Sequence, residues 1–308
     1  MSLKGDKPVV LYSRYSMDDF YSKDFAYASS FFSGVDFAEI DCEKVPQVCN
    51  DISYMKIDTW LVKSETISVF SGDMCAYDFV QFIESKTGVV KSKIIDQAKP
   101  LDDNDWKKVI SLKQCTTVFF FSLKDRQSAI LKKIADQVTY SFSRDPKMNV
   151  FYFDCDKNLQ FCIDRGVYEA PMIRVYKNQN PYDFPGRRYF KDIMKFICAT
   201  TERCRYGNGE LTPESGVIRS VEGLVKKFMK NSDKESVINE ISRITDSSTY
   251  TIIMKGLLKK GESYLENELK KLEKWRKTDR TSENIIELIN VMNIFAKYRP
   301  YINSNNEL

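Results

Sequence analysis

At 308 residues, with 43% hydrophobic and 29% charged residues, the chain has room for two or three domains and the composition of a globular protein. Its 47 basic and 43 acidic residues are too balanced and interspersed for a nucleic-acid surface, and no apolar run approaches the roughly 18 residues that cross a bilayer. Histidine is absent, which removes Ser-His-Asp and Cys-His catalysis and every histidine-ligated metal site.

The first predicted element is a continuous apolar strand at Val9–Ser13. A polar and aromatic helical stretch follows, then a strand ending at Asp41-Cys42, a short helix carrying Cys49, a strand after Asp58, a turn at Gly72 and a closing helix through Phe82-Ile83. The same order recurs downstream. Residues 36–63 lie on residues 149–176 without a gap, placing Asp41-Cys42 on Asp154-Cys155, Cys49 on Cys162 and Asp58 on Pro171. Phe70-Ser-Gly72 matches Phe184-Pro-Gly186, and Val9–Ser13 matches Val118–Ser122. Strands alternating with helices make each copy an α/β unit, and the continuous apolar strands imply sheets covered on both faces.

After Cys204 the composition changes, with Gly207-Asn-Gly209 and Thr212-Pro213 at the boundary. Thr212 is placed to cap a helix with Pro213 at its first position. Val217, Ile218, Val221, Leu224, Val225, Phe228 and Met229 keep helical spacing, and further amphipathic stretches run over 233–244, 249–276 and 282–298, the last ended by Pro300. Four or five helices with short loops make a bundle. The predicted fold is therefore α/β plus all-α.

The eight cysteines form no C-x-x-C, so neither a dithiol redox motif nor a zinc ribbon is present. The order Asp-Cys-x6-Cys, then proline before a strand, then glycine before a last helix resembles the thioredoxin fold of the protein disulfide isomerase family, twice over between residue 8 and about residue 200. The stretch Gly209–Gly216 before Leu224–Phe228, and Gly261–Tyr264 leading into Leu269–Glu273, resembles the ERp29-type helical D domain. The resemblance implies two tandem thioredoxin-like domains at 1–90 and 98–205, a helical domain at 210–300 and a tail at 301–308. Leu101–Ile110, with Trp106, resembles the first strand and helix of such a domain. The first copy has only seven residues before Pro8, so the expectation is that it is truncated, with a preamble and a signal peptide upstream.

Active relatives carry Trp-Cys-Gly-His-Cys after the first long strand. Here those slots hold Tyr15–Asp19 and Lys124–Ser128, with Ser16 and Asp19, then Asp125 and Ser128, in the cysteine positions. Thiol–disulfide exchange needs an attacking thiolate and a second thiol to resolve the mixed disulfide, which serine and aspartate do not supply. The resemblance also implies a cis-proline loop at Pro171, with a trans bond expected before Asp58. It implies structural disulfides Cys42–Cys49 and Cys155–Cys162, each stabilising by about 2–3 kcal/mol, with buried thiols as the alternative. Cys198 and Cys204 are a candidate third pair, and Cys75 and Cys115 have no obvious partner. Tyr15, Phe20, Tyr21 and Tyr168 beside Pro171 are either a surface for unfolded segments or packing residues. Asn305, Asn306, Glu307 and Leu308 resemble a degenerate lumenal retrieval signal.

The expected function is that of a redox-inactive folding factor of the endoplasmic reticulum lumen. Its expected partners are unfolded or secretory polypeptides, with no catalytic residue, metal, cofactor, nucleic acid or membrane. The alternatives are an adaptor for a catalytic isomerase or a dedicated client, and an enzyme using Cys75 or Cys115 as a lone thiol. A homodimer is also compatible.

Overall fold

The computed structural model describes residues 7–299 except 15–18, 48, 50–58, 64–65, 73–74, 92–96, 112–113, 123, 231–232, 245–246 and 279–282. At Arg14, Asp19, Phe20, Thr59, Trp60, Ser111 and Arg126 it describes backbone alone. Two compact units result, residues 1–201 with 205–210, and residues 202–204 with 211–308.

The first unit holds two thioredoxin-like domains, each built on its own sheet. In the first, β1 (Val9–Arg14), β2 (Asp36–Asp41), β3 (Thr59–Lys63) and β4 (Thr66–Val69) run in the order β2-β1-β3-β4, with α1 (Asp19–Ser29) and α2 (Ala76–Thr87). The β1–β2 pair is parallel and the other pairs antiparallel. In the second, β5 (Lys99–Pro100), β6 (Cys115–Phe121), β7 (Met148–Asp154), β8 (Met172–Lys177) and β9 (Asn180–Asp183) run in the order β5-β7-β6-β8-β9. Its helices are α3 (Asp103–Ser111), α4 (Arg126–Ser141), α5 (Leu159–Ile163) and α6 (Phe190–Thr201).

Side chains alternate between sheet faces, so the apolar strand β6 feeds two cores. Phe119 and Phe121 pack with Leu131, Ile134 and Val138 of α4 and with Ile193 and Ile197 of α6. Val118 and Phe120 point the other way, toward Trp106 of α3 and Phe161 of α5. Among the described residues the first sheet has one such cluster, in which Val10, Tyr12 and Leu61 pack with Phe25, Phe31, Phe79 and Ile83.

The ungapped alignment of the copies fails on register. Val10 pairs with Phe37 and Leu61, whereas Thr117 pairs with Val150 and Val175. With the Asp-Cys pairs as anchor, Val10 corresponds to Thr117, not Phe119, and Leu61 to Val175, not Arg174. A one-residue slip would have turned Leu61 to the opposite face, and its burial in the core fixes the shift. The counterpart of Pro171 thereby moves from Asp58 to Ile57, both outside the described residues.

The second unit is the helical bundle. A 3₁₀ turn at Arg219–Val221 leads into α7 (Glu222–Lys230), followed by α8 (Lys234–Ser242), α9 (Ser248–Lys260), α10 (Ser263–Thr278) and α11 (Glu283–Lys297). Phe228, Tyr250, Met254 and Phe295 centre its core. Thr212 does not cap a helix: Ser215 N donates to its carbonyl in a turn, and Gly216 at φ 77° places the chain in the left-handed region. The stretch 249–276 is two helices, because Gly261 at φ 72° ends the first. The turn is tight: a Cβ on Gly256 would meet the Tyr264 ring at 2.4 Å. The last helix stops at Lys297, ahead of Pro300, which lies outside the described residues.

Candidate functional site

The slot of the second domain opens α4. Asp125 is the N-cap, and its Oδ2 accepts from Ser128 N at 3.0 Å. Ser128 is fully buried, and its Oγ accepts from Ser122 N at 3.1 Å. Ser122 Oγ donates to Asp156 Oδ1 at 2.9 Å, and Lys124 N donates to Asp156 Oδ2 at 3.2 Å. Asp156 follows the half-cystine Cys155, so the slot loop is tied to the disulfide loop. A helix N-terminus is where the backbone field would lower a thiol's pKa. Here it holds a carboxylate capping its own helix and a hydroxyl engaged with backbone, neither of them a nucleophile toward sulfur.

Beside the slot lies a groove of ≈ 630 Å³, lined among others by Gln127, Ile130, Pro171, Phe184, Arg187 and Tyr189. The Ala170–Pro171 bond is cis. Ile130 and Tyr189 are 55% and 54% exposed, and Tyr168, three residues before Pro171, is 77% exposed. Arg188 Nη1 donates to Gln127 Oε1 at 3.2 Å across one lip. Ile130, Phe184 and Tyr189 were not among the sequence candidates. The signal for Ile130 was its place off the buried stripe formed by Leu131, Ile134 and Val138.

Cys42 is bonded to Cys49 and Cys155 to Cys162. Cys198 and Cys204 are also in disulfide linkage. Cys75 and Cys115 keep their thiols, Cys75 buried and Cys115 half-buried. Tyr21 is a packing residue rather than an open one, lodged against the cores of both sheets with Lys191 Nζ 4.6 Å over its ring. Tyr15, Ser16 and Asn305–Leu308 lie outside the described residues, as do the side chains of Asp19 and Phe20.

The two sheets of the first unit meet through a buried polar cluster that sequence reasoning missed. Gln137 accepts from Tyr77 N at 2.8 Å and donates to Gly207 O at 2.7 Å, and Ser141 Oγ reaches the same carbonyl at 3.1 Å. Tyr27 stacks on Tyr140 at 4.9 Å. Asp24 is fully buried here, and neither carboxylate oxygen has a hydrogen-bond partner among the described residues. Burial pushes its pKa well above the usual carboxylate range. Only glycine fits at 207, because a Cβ there would lie 2.0 Å from Asp24 Oδ1.

Residues 216–298 match the family "Endoplasmic reticulum protein ERp29, C-terminal domain". Probable protein disulfide-isomerase A6 of Medicago sativa is 23% identical over 280 residues, covering 85% of this chain and 77% of that protein. Protein disulfide isomerase-like 2-2 of Oryza sativa subsp. japonica is 24% identical over 280 residues, covering 85% and 76%. Among solved structures, ERdj5 form II aligns with a TM-score of 0.35 at 14% identity, over 65% of this chain and 28% of that one. A zinc-bound form of human ERp44 aligns with a TM-score of 0.32 at 16% identity, over 35% of this chain and 31% of that one. The chain thus spans under a third of each of those two structures.

Proposed function

The chain belongs to the protein disulfide isomerase family and carries an ERp29-type helical domain after its two sheets, and from this premise we propose that it is a redox-inactive folding factor of the endoplasmic reticulum lumen that holds non-native or secretory client proteins. The observation that carries this reading is a thiol-free slot beside an open groove of mixed lining, in which Ile130, Pro171, Phe184 and Tyr189 stand among Gln127, Glu169, Arg187 and Arg188. Asp125 and Ser128 stand where exchange chemistry would need sulfur, while Ile130, Phe184, Tyr189 and the Pro171 loop keep a surface that fits an extended segment. Each large apolar client side chain buried there contributes about 1.5–3 kcal/mol, which suits reversible holding. The lumenal assignment is supported by the name of the matched family and by the disulfides, which persist in oxidising compartments.

A lone-thiol enzyme is less well supported. Cys75 is 2% exposed in the core, and a reactive thiol needs access as well as a lowered pKa. The test is aggregation of a cysteine-free unfolded client at equal concentration of this protein. Suppression is expected, and Ile130→Asp, at an exposed site, is expected to weaken it while leaving the fold intact. An unchanged aggregation curve would remove the general holding function and leave the adaptor reading, to be pursued through a stoichiometric partner.

A further inference from the structure

Within the first unit, the turn Arg205–Glu210 is wedged between helix α1 of the first sheet and helix α4 of the second. Tyr206 N donates to Glu210 O at 2.9 Å and Gly209 N to Tyr206 O at 3.0 Å, which closes the turn. The second sheet grips it from inside. Gln137 and Ser141 of α4 both donate to Gly207 O, Arg205 Nη1 donates to Gly209 O at 2.8 Å, and the buried Arg205 guanidinium pairs with buried Asp145 at 3.4 Å. The first sheet grips it more weakly. Lys23 of α1 pairs with Glu210 and lies 4.8 Å over the Tyr206 ring, but both charged side chains are partly exposed, and such pairs contribute little. Tyr27 stacks on Tyr140, and Tyr77 N of α2 donates to Gln137 Oε1 at 2.8 Å. Asp24 of α1 completes the contact. It is fully buried, neither carboxylate oxygen has a hydrogen-bond partner among the described residues, and a Cβ on Gly207 would lie 2.0 Å from its Oδ1.

A carboxyl so placed can hold a proton, gain a donor or reach water. The closed seam offers no donor, because the Gln137 amide and the Ser141 hydroxyl are spent on the Gly207 carbonyl. The charges around it are committed to other groups: Lys23 to Glu210, Arg205 to Asp145, Lys132 to Asp136, and Lys191 of α6 to the Tyr21 ring, while Glu39 of β2 accepts from Ser22. Burial, then Asp136, Asp78 and Cys75, push the Tyr77 phenol up, so it stays neutral where Asp24 titrates. We propose that Asp24 is a proton-operated latch on this seam: neutral, it lets α1 close on the turn, and ionised, it parts α1 from the turn and offers Tyr27, Tyr77 and Tyr140 to solvent. In the open seam Asp24 is solvated and titrates near about 3.9. The closed seam keeps the proton to higher pH, because burial penalises the charge. Opening therefore grows by about tenfold per pH unit between those two values and levels off above the closed one. The seam parts at α1 because the turn is anchored to the second sheet. The proposal does not depend on the groove beside Pro171.

The test is amide hydrogen exchange of the full chain, read at Tyr77, whose N–H bond crosses the seam, and at Phe119 in the middle of β6. Each rate is compared between the wild type and Asp24→Asn, which cancels the intrinsic pH dependence of exchange. At about pH 7.5 the Tyr77 amide is expected to exchange about tenfold or more faster in the wild type, and at about pH 4 the two proteins should agree to within about twofold. Opening of the seam exposes little surface, so the wild-type Tyr77 rate should hardly change in sub-denaturing urea while the Phe119 rate climbs steeply. Gly207→Ala is the second variant. Its Cβ meets Asp24 whatever the charge, so Tyr77 should exchange faster than in the wild type at about pH 4 as well. A ratio of wild type to Asp24→Asn that does not change with pH would overturn the proposal. So would a Tyr77 rate that climbs with urea as steeply as that of Phe119, since the amide would then be reached only by unfolding, and so would a Gly207→Ala protein that matches the wild type at the lower pH.

Discussion

In the second sheet β6 is buried on both sides, between α4 and α6 on one face and α3 and α5 on the other, whereas the described residues of the first sheet gather one cluster around Val10, Tyr12 and Leu61. The repeated strand pattern therefore carries two separable instructions. One, kept in both copies, builds the half of the domain that holds the slot and its helix. The other, carried by β5 and α3 in the second copy, closes the remaining face of that sheet. Topology does not depend on that unit, since register in the first sheet is specified by Leu61 and Val10 turning into the core. Among the described residues, the two sheets differ in how much apolar surface they bury.

The comparison is broken most directly at Trp106. It is 7% exposed, with four aromatic neighbours and the Arg165 guanidinium 5.0 Å from its ring. Trp106→Ala is expected to destabilise the second sheet by about 3–5 kcal/mol in urea melts, by opening its closed face. A loss below about 1 kcal/mol would mean that α3 contributes little to closure.

Next come the disulfides, which close loops of equal length in both copies. Replacing Cys155 and Cys162 by alanine, or Cys42 and Cys49, is expected to cost about 2–3 kcal/mol in each case. Because the described residues of the first sheet gather one core cluster against two in the second, the second of these changes should give the lower urea midpoint. The opposite order would contradict the burial argument.

A smaller effect is expected at the junction of the sheets. An unfolded aspartate titrates near about 3.9. Asp24 in the folded chain titrates well above that because burial penalises its charge. Between the two values the native state holds a proton that the unfolded state lacks. Its contribution to stability is thus complete below about pH 4 and is lost as pH rises through the folded value. Asp24→Asn is expected to raise stability by about 1–2 kcal/mol at pH 7.5 and to leave it nearly unchanged at pH 4, as read from urea midpoints across pH. A parallel pH profile in the two proteins would show that the carboxyl is not the titrating group. The smallest effect is that of Asp125→Ala, expected to cost about 1 kcal/mol through loss of the α4 cap.

Much of this arrangement was legible in the residues. The Asp-Cys repeat located both strand ends, and the apolar run Thr117–Phe121 announced a strand buried on two faces. The one-residue slip between β2 and β3 was hidden because Leu61 and Arg174 occupy matching places in an ungapped alignment, and only strand pairing assigns their faces. The split of 249–276 was marked by Gly261, but a glycine inside a helical pattern is ambiguous until its backbone angle is known. The groove residues Phe184 and Tyr189 were illegible because they reach the Pro171 loop through the chain's return after β9. The Asp24–Gln137–Gly207 cluster joins segments 70 or more residues apart along the chain, and local pattern cannot bring such residues together.

The central claim is that the slot at Asp125 and Ser128 supports holding without thiol exchange. The most direct measurement is reduction of a small disulfide reporter in a glutathione buffer, with and without the full chain. The account predicts the rate of the buffer alone. A rate above it that disappears in Cys75→Ser or Cys115→Ser would contradict the account and establish a lone-thiol activity.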